Sequence, residues 1–144
     1  MRIEIHGNTL NARTVEQAVD ILKNGGLIIY PTDTVYGIGC DITKKSAIEQ
    51  IYRVKGIEKQ KPLSFVCSDI KDISKYAKIS TANYRDLRRY LPGPYTFILP
   101  GTREAPKVLI SRQKTVGVRI PDHSLTLAIV EALGNPIIST SVNI

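Results

Sequence analysis

Leu27-Ile28-Ile29-Tyr30-Pro31-Thr32-Asp33-Thr34-Val35-Tyr36-Gly37-Ile38-Gly39 is the stretch on which the reading of this chain turns. Leu27 to Tyr30 is a short apolar run of the kind that forms a buried strand, and Pro31 ends it. The residues that follow gather hydroxyls, a carboxylate and two glycines. A strand opening onto such residues presents its carboxyl edge as a binding floor for a polar ligand. The same residues also suit a tight polar turn with glycine at its positive-φ positions.

Working outward, helices alternate with apolar strands. Thr14 followed by Gln17 is a capping-box pattern, and Val15, Ala18, Val19 and Leu22 mark one face of a helix that stops at Gly25-Gly26. A second helix is predicted over Ser46 to Val54, with Ile48, Ile51 and Tyr52 inward and Gly56 as its stop. Leu63 to Cys67 reads as a buried strand, and Ser68-Asp69 as the entry to a short helix around Ile73 and Tyr76. Thr81 to Leu91 is a further helix, ended by Pro92-Gly93-Pro94 because proline lacks the N–H and crowds the preceding turn. Tyr95 to Leu99 and Thr115 to Ile120 are strands, with one helical turn over Pro106 to Ile110 between them. Ser124 is expected to cap a last helix through Leu133, closed by Gly134, before a strand from Ile137 to Thr140. Arg2 to His6 alternates as a short edge strand. The pattern is α/β, helices covering a twisted mixed sheet, without internal repeat or linker.

Composition narrows the function classes. The chain has 144 residues, 42% hydrophobic, enough for one domain with a core. No apolar run approaches membrane-spanning length and the start lacks a signal-peptide core, so a cytoplasmic protein is expected. Cys40 and Cys67 are too far apart for a Cys-x-x-Cys site and only His6 and His123 accompany them, which argues against structural zinc or a catalytic thiol and for cysteines packed in the core. A formal charge of +7 favours anionic partners. Arg85, Arg88 and Arg89 share a helix face, and Lys55, Lys59 and Lys61 cluster after the second helix; a solvated surface is the ordinary use of either group.

Four further motifs stand in register with the first: Lys55-Gly56 with Lys61-Pro62-Leu63-Ser64; Leu91-Pro92-Gly93-Pro94-Tyr95-Thr96-Phe97; Val116-Gly117-Val118-Arg119-Ile120-Pro121; and Ile138-Ser139-Thr140-Ser141-Val142-Asn143. In this order and spacing the chain, from about Leu10 to its last residue, resembles the YrdC/YciO family, whose best-known members are threonylcarbamoyl-AMP synthases. The resemblance implies a YrdC/RibB-like twisted mixed β-sheet with helices packed on it. It also implies a reaction of L-threonine, bicarbonate and ATP, the last with Mg²⁺, that yields threonylcarbamoyl-AMP and pyrophosphate for the N6-threonylcarbamoylation of adenosine in tRNA. No tightly bound cofactor and no metal of the protein's own belong to that chemistry.

Carboxylated threonine must attack the α-phosphorus of ATP, so two anions meet and the site needs fixed positive charge and hydrogen-bond donors. By the resemblance, Lys55 pairs with the ATP phosphates and Lys59 assists, while Thr115, Ser141 and Asn143 complete the nucleotide side. Arg119, whose planar fork matches a carboxylate, takes the threonine carboxylate, so that Lys55 and Arg119 form the catalytic pair. Thr32, Ser64 and Ser139 line the amino-acid pocket with it. Each has an ordinary alternative: Arg119 bonded to the Pro92-Gly93-Pro94 turn, Ser141 and Asn143 fixing a turn. Tyr36 and Tyr95 read as core or rim aromatics and are left outside the site.

One position departs from the synthases, which carry Lys-x-Arg where this sequence has Lys55-Gly56-Ile57. Losing a bidentate donor that acts on developing phosphate charge lowers a rate by orders of magnitude. Ile57 and the stretch from Lys59 to Cys67 resemble the YciO branch of the family. The alternative is a non-catalytic module that binds double-stranded RNA or tRNA on a basic face, although no recognised RNA-binding signature is present. A carbamoyl-transfer domain of the hydrogenase-maturation kind would bring acylphosphatase and zinc-finger segments, and the sequence has neither. Family members continue past the Ser-x-Asn motif with a Ser-Gly pair, more sheet and another phosphate-binding arginine, so the chain reads as a single domain cut short at its C-terminal end.

Overall fold

A computed structural model describes residues 2–3, 11–56, 63–109 and 113–142. The chain order is α1 (Ala12–Lys23), β1 (Ile28–Tyr30), β2 (Gly37–Asp41), α2 (Lys45–Lys55), β3 (Ser64–Val66), α3 (Ile70–Tyr76), α4 (Thr81–Tyr90), β4 (Phe97–Pro100), a 3₁₀ turn (Lys107–Leu109), β5 (Thr115–Arg119), α5 (Ser124–Leu133) and β6 (Ile137–Ser141).

The strands form one six-stranded sheet in the order β1-β2-β6-β3-β5-β4. The pairing of β3 with β5 is parallel, and the other neighbours run antiparallel. The sheet is therefore mixed, as expected, with helices on both faces. Alternation along the strands assigns side chains to the two layers. Phe65 and Ile138 enter a core with Ile48 and Ile51 of α2, Ile73 of α3 and Leu87 of α4. Their neighbours Val66 and Ile137 enter a second core with Val19 and Leu22 of α1 and Leu125, Ile129 and Leu133 of α5.

Caps and stops explain the helix ends, with two corrections. The Thr14–Gln17 capping box does not form: α1 begins earlier, and Asn11 caps it by accepting from the N–H groups of Arg13 and Thr14. Thr14 already lies inside the helix, where its hydroxyl is past the orphan donors. Likewise Ser124 is the first residue of α5, and His123 takes the cap position without a side-chain capping bond. Asp69 and Ser80 cap α3 and α4. Gly56 and Gly134 close α2 and α5 in the left-handed conformation that favours glycine.

Two strand expectations change as well. The run ending at Tyr30 is not buried throughout: β1 is the sheet's edge, so Ile29 is 56% exposed while Tyr30 turns inward. Gly37 to Asp41 is a fully buried strand that the turn reading missed. Of the expected strand at Arg2 to His6, residues 4–6 lie outside the described residues. Among the described residues, no helix is long and apolar enough to cross a membrane.

Phe65, fully buried on β3, anchors the larger core. Phe65→Ala is expected to cost about 3–5 kcal/mol by transfer loss and cavity formation. Ile98→Ala, at a position 65% exposed on β4, should stay within about 0.5 kcal/mol. Urea denaturation of the two variants beside the parent protein measures both.

Candidate functional site

Gly37, Gly39 and Gly117 point toward the face of the sheet that carries α1 and α5, and without side chains they leave that face bare. The glycines are not positive-φ residues. They are demanded by close approach. A Cβ on Gly37 would lie 2.7 Å from Cζ of Tyr30 and 3.0 Å from Oγ of Ser139, and one on Gly39 only 2.4 Å from Cγ2 of Ile137. A Cβ on Gly117 would lie 3.2 Å from Cγ2 of Thr96. The result is an open cavity of about 240 Å³ whose floor includes Tyr30, Gly37, Ser64, Val66 and Ser139. Thr32, Val35 and Tyr36 wall it on one side, Thr96, Arg119 and Pro121 on another, and Thr140 and Ser141 close its end.

Register explains how residues distant in sequence meet. Ser64 pairs with Ser139 on one side and with Gly117 on the other, which brings three motifs abreast. Ser141 pairs with Gly37. Because β6 runs opposite to β3 and β5, Ser141 and Thr115 lie toward the same end of the sheet, on the cavity face, roughly 10 Å apart across two strand spacings.

The polar groups of the floor form a short chain. The buried phenol of Tyr30 donates to Oγ of Ser139, which donates to the carbonyl of Ile38 at 3.0 Å. The serine keeps one free lone pair, so it can receive a ligand N–H or O–H but has no proton left to offer. Burial pushes the Tyr30 phenol up to about 12, offset in part by Ser139 and by the positive charge of Arg119.

Among the described residues lining the cavity, Arg119 alone carries a charge. Its Nε donates to the carbonyl of Gly93 at 3.4 Å and its Nη1 to Oγ1 of Thr34 at 3.1 Å, while its Nη2 pairs with the carboxylate of Asp33. The contact with the proline-flanked turn, an alternative for this arginine in the sequence, is thus present, and the arginine still faces the cavity. Asp33 and Thr34 sit on the loop between β1 and β2. Thr126 of α5 holds the start of that loop at the carbonyl of Pro31, and the N–H of Val142 holds its end at the carbonyl of Tyr36.

The structure therefore brings Thr32, Ser64, Arg119, Ser139 and Ser141 to one cavity. Thr115 shares its face of the sheet but not its lining. Lys55 ends α2, in the opposite helix layer, and does not line the cavity. Lys59 and Asn143, with Ile57, lie outside the described residues. Tyr36 does line the cavity, against expectation, whereas Tyr95 does not. Tyr30, Asp33 and Thr96 are the site residues the sequence reading did not single out. Gly37 and Gly39 two residues apart were the available signal for a strand packed under an aromatic ring.

The profile of a protein family described as "Telomere recombination", Sua5/YciO/YrdC, matches residues 20–144. The chain belongs to the Sua5/YciO/YrdC family. It is 39% identical to YciO of Escherichia coli K12 over 96% of this chain and 68% of that protein. The crystal structure of E. coli YciO superposes with a TM-score of 0.89 over the same shares. Threonylcarbamoyl-AMP synthase of Klebsiella pneumoniae is 32% identical, over 95% of this chain and 74% of that one. P. abyssi Sua5 crystallised with L-threonine superposes at TM-score 0.88 with 29% identity, over 94% of this chain and 40% of that one. The fold expected from the resemblance is thus the fold found.

Cys40 and Cys67 are free and buried, as expected. Burial, with Asp41 nearby, pushes the Cys40 thiol up to about 12. Both it and Tyr30 are held neutral by the fold. The stability they contribute is fully present below their ordinary values, 9.0 and 10.0, and is lost as pH rises from there toward about 12. Urea midpoints should therefore fall above pH 9. In Tyr30→Phe that alkaline fall should be shallower, and at pH 7 the lost bond to Ser139 should cost about 1–2 kcal/mol.

Proposed function

We propose that this protein is an L-threonylcarbamoyladenylate synthase-like enzyme of the cytoplasm, using L-threonine, bicarbonate and ATP. The observation that carries the reading is the meeting of Thr32, Ser64, Arg119 and Ser139 around one small cavity in a chain whose family includes threonylcarbamoyl-AMP synthases and a Sua5 crystallised with L-threonine.

The chemistry follows from the layout. The cavity is below the usual size of sites for drug-sized ligands and suits a single amino acid. Arg119 would hold the threonine carboxylate and Ser139 would accept from its amine or hydroxyl, with Thr32 and Ser64 completing the pocket. The nitrogen, carboxylated by bicarbonate, would then point toward the Ser141–Thr115 end. There a carboxylate oxygen attacks the α-phosphorus of ATP and pyrophosphate leaves. Ser141, Thr115 and Asn143 would bind the nucleotide, and Lys55 with Lys59 would neutralise its phosphates. Catalysis by such a site is positioning and charge stabilisation, with no covalent enzyme intermediate. Ile57, in place of the arginine of the synthases, predicts a slow enzyme or one that takes another carboxylated amine.

Isothermal titration of ATP with Mg²⁺, with and without L-threonine and bicarbonate, tests the reading alongside pyrophosphate release. Threonine-dependent ATP binding is expected, and Lys55→Ala and Ser141→Ala should each weaken it about tenfold or more, the range for bonds to charged groups. Absence of ATP binding would overturn it. Salt-dependent binding of tRNA or double-stranded RNA that ATP fails to compete would then mark the protein as an RNA-binding module.

A further inference from the structure

Arg119, the one cation among the described residues lining the cavity, is already neutralised from within the chain. All three nitrogens of the Arg119 guanidinium have partners: Gly93 at Nε, Thr34 at Nη1 and Asp33 at Nη2. A ligand carboxylate seeking a two-pronged grip on this arginine meets an anion in place. Both side chains of the pair are largely sheltered, 14% exposed for Arg119 and 16% for Asp33, so solvent screens their attraction only in part.

The loop that carries Asp33 is built to let go of it. Its ends are fixed, at Pro31 by Thr126 of α5 and at Tyr36 by Val142. Thr32 knits the loop together, its hydroxyl donating to the carbonyl of Val35 and accepting from the N–H of Thr34. Thr34, Val35 and Tyr36 are exposed, and none of Asp33 to Tyr36 makes part of either core. Across the cavity, among the described residues, the side chains of Asp33 and Thr34 are tied to Arg119. Releasing Asp33 therefore disturbs neither the sheet nor the helices.

We propose that Asp33 is a specificity-determining residue: an internal carboxylate that occupies Arg119 until the carboxylate of the ligand displaces it. The inference rests on the assignment of Arg119 to that carboxylate. A ligand without a carboxylate leaves the Asp33–Arg119 pair closed and gains nothing from the arginine. An amino acid exchanges one anion for another and moves the Asp33–Thr34 segment as it binds. Apparent affinity is then the intrinsic affinity reduced by the fraction of molecules in which Asp33 is released.

The test compares L-threonine with L-threoninamide, its uncharged-carboxyl analogue, by isothermal titration into the parent protein, Asp33→Asn, Asp33→Ala and Arg119→Gln. If the pair is closed in about nine molecules of ten, both Asp33 variants bind L-threonine roughly tenfold more tightly, with L-threoninamide unchanged. Arg119→Gln should lose the preference for L-threonine over the amide. L-threonine binding that is unchanged or weaker in the Asp33 variants, while Arg119→Gln still loses it, overturns the proposal and leaves the carboxylate assignment standing: Asp33 then positions the arginine. Equal tightening for acid and amide also overturns it, since access and not charge would be the cause. If Arg119→Gln binds L-threonine as the parent does, the carboxylate assignment itself fails. No binding in the parent or in either Asp33 variant overturns the proposal too, because removing a competitor must expose the site.

Discussion

The contact between the ring of Tyr30 and the bare backbone of Gly37 and Gly39 is the constraint from which the site follows. Tyr30 is the inward-facing residue of the edge strand, and its phenol can reach Ser139 only because β2, which lies between, has no side chains in the way. The same absence keeps the sheet face open beyond the ring. One requirement of packing thus produces both a clamp that joins β1, β2 and β6 and an unfilled floor beside it. A methyl group at Gly37 would meet the phenol and the serine together, so the clamp and the cavity cannot be altered separately.

Much of this was legible in the sequence, for identifiable reasons. The helices announced themselves by apolar periodicity and by Gly56 and Gly134, and β3 and β5 by apolar runs bounded by polar residues. Thr32, Ser64, Arg119 and Ser139, which the resemblance grouped, line one cavity. Strand β2 was hidden because its glycines mimic turn residues, and only the packing of the Tyr30 ring of β1 against them shows that they accommodate a ring. The Asp33–Arg119 pair joins residues 86 positions apart, and no local pattern encodes such a partner. The capping errors at Thr14 and Ser124 are of another kind: each residue type was suitable, but the neighbour one or three positions earlier took the cap.

Electrostatics in the cavity divides along its length. At the Arg119 end the guanidinium is paired with the carboxylate of Asp33, and at the Ser139 end a hydroxyl whose proton is already committed can only accept. Under the proposed function, the ligand brings its carboxylate to the first and an N–H or O–H donor to the second. Further along the face, Ser141 and Thr115 add hydroxyl-bearing residues without charge.

The position of β6 has a consequence for how the protein is made. It is the last strand of the described chain, yet it lies between β2 and β3 and bonds to both. Until it has been synthesised and has emerged from the ribosome, β2 and β3 have no common partner. Each presents an open edge, with both helix layers lacking the strand that bears Ile137 and Ile138. Sheet closure is thus deferred until β6 has emerged, through contacts of long sequence separation, which form slowly. The nascent chain spends that interval with the exposed edges that promote wrong pairing and invite chaperone capture. Ser139 and Ser141 arrive on the strand that ends the interval, so the cavity and a closed sheet appear in a single event.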